Sequence, residues 1–167
     1  PARRQDTVGG YRQIMMDRLL GDMLDARLSE LSQAGNPPFL DVAAGRQLFD
    51  TPRTRDEVVL QALVPNDGVP RGLETMISEM QRVLRFGFTA TELARAKQAT
   101  MLSYERSVTA SPDRESQSRA DEYTRNFLQN EALPTIWQEL AFHRRFLPVI
   151  TLAEVKDRKS TRLNSSH

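Results

Sequence analysis

Hydrophobic positions change their spacing along this chain, and each change marks a new element. From Thr7 to Ala34, Met16, Leu20, Leu24, Leu28 and Leu31 recur at intervals of three and four with charged residues opposite them. That spacing predicts a long amphipathic helix. Gly35-Asn36-Pro37-Pro38 ends it, since prolines cannot continue a helical hydrogen-bond ladder. Two runs of shorter period follow, Phe39 to Phe49 and Glu57 to Val64, joined by the polar stretch Asp50-Thr51-Pro52-Arg53-Thr54-Arg55. In the second run Val58, Leu60, Ala62 and Val64 lie on one face and Val59 and Leu63 on the other. It is expected to be an interior strand covered on both sides, paired with the first run in an antiparallel hairpin.

After a turn at Pro65-Asn66-Asp67-Gly68 the pattern becomes helical. Leu73, Met76, Ile77, Met80, Val83 and Leu84 fit the i, i+3, i+4, i+7 template, and this helix, with the Ile14–Leu31 helix, is expected to pack on the hairpin. Gly87 stops it. Thr89 and Glu92 are spaced as a capping box, and Phe88 with Leu93 as a hydrophobic staple, so a third helix begins there and runs to about Val108. Ser111-Pro112-Asp113 restarts the chain with an N-cap serine, a first-turn proline and an acid near the positive helix end. Pro134 opens a short helix through about Phe146, and Ile150-Thr151-Leu152-Ala153-Glu154-Val155 repeats the capping box and staple.

Lys159 to His167 has no apolar periodicity, so the last helix is expected to break off. With Pro1 in place of methionine, the chain reads as a fragment at both ends: residues 1–156 form one incomplete domain and residues 157–167 a non-native tail resembling adapter read-through. No repeat of fixed period divides it. The fold class is α+β (α/β), a helix-rich two-layer domain whose antiparallel hairpin belongs to a larger, truncated sheet.

Composition narrows the function little. Of 167 residues, 39% are apolar and 27% charged, with 23 basic against 22 acidic side chains. This is globular composition, and its charge balance points to neither nucleic acid nor a membrane surface. The lack of cysteine excludes disulfides and thiolate metal sites. No apolar run reaches the ~18 residues that would span a bilayer. The compartment stays open.

The chemistry-bearing residues do not assemble a site by spacing. The histidines are His143 and His167, far from the two needed on one helix turn by the inverted zinc motif H-x-x-E-H. His143, in Phe142-His143-Arg144-Arg145-Phe146, is expected to be a partly buried or surface histidine. Asp121-Glu122-Tyr123 could do acid/base work, but adjacent helical residues diverge, and a solvated face is the plainer reading. Arg82, Arg85, Arg114, Arg119 and Arg125 alternate with Glu79, Glu115 and Glu122, which argues against phosphate tracking. Gly9-Gly10 lacks the spacing of a phosphate cradle, and no G-x-S-x-G elbow frames a serine. Met15, Met16, Met23, Met76, Met80 and Met101 read as core filler. No catalytic, cofactor-binding or metal residue is assigned.

The order of blocks is more specific. Met23-Leu24-Asp25-Ala26-Arg27-Leu28-Ser29-Glu30-Leu31 followed by Asn36-Pro37-Pro38-Phe39, then Arg85 through Lys97, then Asp121-Glu122-Tyr123, resembles the second domain of the insulinase/pitrilysin family of zinc peptidases. The match runs from about Asp6 to Val155. The resemblance implies paired α/β domains enclosing a chamber, with zinc and the inverted motif on the first domain. The second domain supplies wall and scaffold and no zinc ligand, so zinc would belong to the parent protein and not to this fragment. The implied partners are the zinc-binding domain, on the same chain or a partner subunit, and peptide substrate. A periplasmic or cytoplasmic bacterial parent would suit the family. An inactive paralogue or partner subunit, or a stand-alone helical interaction module, are the alternatives.

Overall fold

The computed structural model describes residues 7–47, 57–110 and 135–163. Helix α1 (Val8–Ser32) starts at Thr7, whose Oγ1 accepts the Gly10 amide at 3.0 Å. It buries Met15, Met16, Leu19, Leu20, Met23, Leu24 and Leu28, a broader stripe than periodicity marked, because several elements pack around it. At its end the Ser32 hydroxyl donates to the Ser29 carbonyl at 2.8 Å, and the Ala34 amide to Leu31 at 3.3 Å. Buried Pro38 then turns the chain into Phe39, which is wholly enclosed.

Strands β1 (Asp41–Gln47) and β2 (Glu57–Leu63) pair antiparallel, with Asp41 opposite Leu63 and Gln47 opposite Glu57. The hairpin is as the sequence predicts, but its burial is not. Val42, Ala44, Leu60 and Ala62 share the face that joins the core. On the other face Asp41, Ala43 and Gly45 are exposed, and Leu63 is 62% exposed. Helix α1 lies along β1, where Asp25 Oδ1 accepts the Ala44 amide at 2.8 Å. Among the described residues nothing forms a second layer, so β2 is covered on one side only.

Helix α2 (Val69–Phe86) has the expected bounds and a different buried face. Gly72, Glu79 and Val83 are buried and Met76 and Met80 half-buried, whereas Leu73 and Ile77 are about half exposed, at 52% and 48%. The cause is Gly72: a Cβ there would stand 2.7 Å from Val64 Cγ1 and 3.7 Å from the Phe39 ring. A residue without a side chain lets the helix approach the end of the hairpin, and that contact rotates the Gly72, Met76, Glu79, Val83 side inward. A hydrophobicity pattern cannot register such a position.

Gly87, at φ 74°, ends α2 in the left-handed region, its amide bonded to the Val83 carbonyl at 2.9 Å. Helix α3 (Ala90–Thr109) then starts with the full capping box: the Thr89 amide donates to Glu92 Oε2 at 2.6 Å, and the Glu92 amide to Thr89 Oγ1 at 3.2 Å. Phe88 and Leu93 are both buried, as a staple requires. Helix α4 (Ile136–Phe146) is capped by Thr135 and Gln138, a second box that the proline signal obscured. Thr151 and Glu154 cap helix α5 (Leu152–Leu163). The expectation of a broken last helix is corrected here: α5 runs on to Leu163, since no glycine or proline follows Thr151 and helix formation needs no apolar stripe. The Ser111-Pro112-Asp113 start lies outside the described residues. The whole is a helix-rich α+β domain around one core shared by α1, the hairpin, α2, α3 and α5.

Candidate functional site

Helices α1, α3 and α4 meet at His143, which is buried rather than partly open. Its Nδ1 lies 2.7 Å from the Glu139 carbonyl of its own helix; a carbonyl only accepts, so Nδ1 carries the proton and Nε2 is the bare nitrogen. The imidazole stacks on Tyr104 of α3 with ring centres 3.7 Å apart and meets Tyr11 of α1 edge-on at 5.9 Å. Arg18 of α1 donates to the Tyr104 hydroxyl at 3.1 Å, and the Tyr11 hydroxyl donates to Glu139 Oε1 at 3.4 Å. Burial, reinforced by the Arg18 charge, lowers the His143 pKa against the opposing pull of the Glu139 carbonyl. Burial, followed by the Glu139 carboxylate, raises both Tyr11 and Tyr104. The imidazole is therefore neutral and both phenols protonated at pH 7, so the three rings pack uncharged there.

A second cluster ties α1 to the α2–α3 junction. Arg27 Nε and Nη2 grip the two Glu92 carboxylate oxygens, and Nη2 also donates to the Gly87 carbonyl at 3.1 Å. The Arg27 hydrogen bonds, helped by the Thr89 amide and opposed by burial, bring Glu92 down to about 2. Beside this pair a groove of about 340 Å³ runs between α1 and α3. Ala26, Ala96, Ala99 and Thr100 line it together with charges of both signs, including Arg95 and Glu30.

The other candidates disperse. Arg82 pairs with buried Glu79 at 2.7 Å, and Arg85 stacks over Phe86. The Gly10 amide is spent on the Thr7 hydroxyl at the start of α1. Met15, Met16 and Met23 are core, with Met76, Met80 and Met101 packed against it. His167, Asp121-Glu122-Tyr123, Arg114, Glu115, Arg119 and Arg125 lie outside the described residues. Local periodicity gave no sign of Tyr11, Arg18 and Tyr104 around His143, because these residues come from other helices far along the chain.

No family model matches this sequence, and no curated protein matches it. The structure is similar to the first half of the periplasmic protease PqqL from Escherichia coli, with TM-score 0.80 and 15% identity over 95% of this chain and 34% of that one. Against the longer PqqL chain the TM-score is 0.82 at 15% identity, covering 98% of this chain and 18% of that. A predicted insulinase family protease from Yersinia pestis gives 0.81 at 12% identity, covering 99% and 35%. The fold is that of an insulinase-like domain. This chain spans about a third or less of each insulinase-like neighbour. The zinc implied by the resemblance does not fit the described residues, among which no group of three or more His, Asp or Glu could hold a metal. His143 is enclosed by two tyrosines with one nitrogen committed to the backbone.

Proposed function

We propose that this chain is wall and scaffold of the non-zinc second domain of a chamber-forming zinc metalloendopeptidase, non-catalytic by itself. The observation that carries the reading is the fold match over 95–99% of the chain to part of two proteases. The chemistry of the side chains agrees with it. Buried His143 stacks on Tyr104, Glu92 is paired with Arg27, and Glu79 with Arg82, which leaves these groups as braces rather than as acid, base or nucleophile. Zinc and its base would come from the partner domain, which closes the chamber around peptides small enough to enter. On this reading residues 1–156 are the domain and residues 157–167 a tail foreign to it.

An inactive paralogue or partner subunit would share this fold, and an H-x-x-E-H run upstream in the gene separates it from an active parent. The stand-alone interaction module finds less support, since Leu40, Leu63, Leu73 and Ile77 remain exposed as they would beside absent structure. The test is to dialyse the purified chain against zinc and incubate it with quenched fluorogenic peptides. No stoichiometric metal and no hydrolysis are expected; one tightly held zinc per chain, or chelator-sensitive cleavage, would overturn the assignment.

A further inference from the structure

Histidine is the side chain whose ordinary pKa, near 6.5, lets mild acid change its charge, and His143 occupies a seam built for the neutral ring. At 2% exposure it lies between Tyr104 and Tyr11. The groups that face it are Tyr11 and Arg18 from α1, Tyr104 from α3 and Glu139 from its own helix. Glu139 engages the imidazole through its backbone carbonyl, and its carboxylate accepts the Tyr11 hydroxyl. Arg18 is already a cation in the seam, anchored on the Tyr104 hydroxyl. Among the described residues no acceptor bonds Nε2, the nitrogen a second proton must take. A charged imidazole here would be stripped of water, next to a like charge, with its new N–H unsatisfied.

We propose that protonation of His143 at Nε2 is an acid-operated release of the α1–α3–α4 seam, which frees α4 while the core of α1 and the hairpin holds. Apart from His143, α4 is held by its buried Ile136 and Leu140 and by Phe142 and Phe146 against the core, while the Arg144–Glu105 pair, 3.6 Å long, is exposed on both partners and contributes little. The sign follows from the neutral folded state. Its stabilisation of the seam is complete above about pH 6.5, the pKa of the opened state, and falls as pH drops below it.

Amide exchange of the full chain at pH 7.5 and pH 5.0, corrected for intrinsic rates, tests the release. The opening constant of residues 136–146 should rise up to about 30-fold in acid, while central α1 amides stay protected. His143→Phe fills the space without titrating and should keep α4 closed at pH 5.0. Equal acid opening in the two proteins, or unchanged α4 protection in wild type, would sink the proposal. Should His143→Phe not fold, proton NMR of wild type decides, with His167 as the internal comparison. The His143 midpoint should lie below that of His167; coincident midpoints with α4 still protected would overturn the release.

Discussion

Glu92 carries three jobs on one carboxylate. It completes the α3 capping box with Thr89, accepts two Arg27 hydrogen bonds, and through Arg27 holds the Gly87 turn. Because its folded pKa is depressed to about 2, its stabilisation is present above the ordinary glutamate range and lost as pH falls through that range toward 2. Glu92→Gln should therefore cost roughly 2 kcal/mol at pH 7, and urea melts should show the gap to wild type closing between about pH 4.5 and pH 2. Thr89→Ala removes the hydroxyl that accepts the Glu92 amide and should cost roughly 0.5–2 kcal/mol in the same assay. The Thr89–Glu92 half of this arrangement was legible in a four-residue window. Arg27 was not, because it arrives from 65 residues away.

At the scale of elements, the helices were readable from spacing but their buried faces only in part. Leu73 and Ile77 looked like core on α2 and stand half in solvent, whereas Val83 is fully enclosed. Leu73→Gln and Ile77→Gln should each stay within about 1 kcal/mol of wild type, while Val83→Ala should cost roughly 2 kcal/mol; denaturant midpoints rank the three. Helix α5 gives a parallel test. Its buried side is set by Leu152 and Val155, and the positions one turn on, Lys159 and Arg162, are charged. Truncation after Asp157 should change stability by less than about 1 kcal/mol, whereas Val155→Ala should cost roughly 2 kcal/mol. A larger loss on truncation would make residues 158–163 part of the native fold.

For the molecule as a whole, one contiguous cluster joins Met15 and Leu28 of α1, Phe39, Val42 of β1, Val83 of α2, Leu93 of α3, Val155 of α5 and Ile150, which precedes α5. Sequence-distant elements that share a core unfold together. At pH 7.5 the calorimetric and van't Hoff enthalpies should agree, and a ratio far from one would mean that the insulinase-like fold is not cooperative in this chain. Leu40, Leu63, Val69 and Phe86 are more than half exposed and lie outside that core.

Most helix and strand boundaries were legible in the sequence, the end of α5 excepted, because periodicity, caps and glycine stops act within one or two turns. The α1 stripe, the hairpin, Gly87 and the boxes at Thr89 and Thr151 were all of this kind. An inverted zinc motif is also excluded at this level, since it needs two histidines on one helix turn and His143 and His167 are far apart in the chain. The inward side of α2, the single covered face of β2 and the place of His143 between Tyr11 and Tyr104 came from packing between distant segments. Those outcomes depend on where a second segment lands, and a local pattern holds the propensity of a residue to be buried without holding the identity of what buries it.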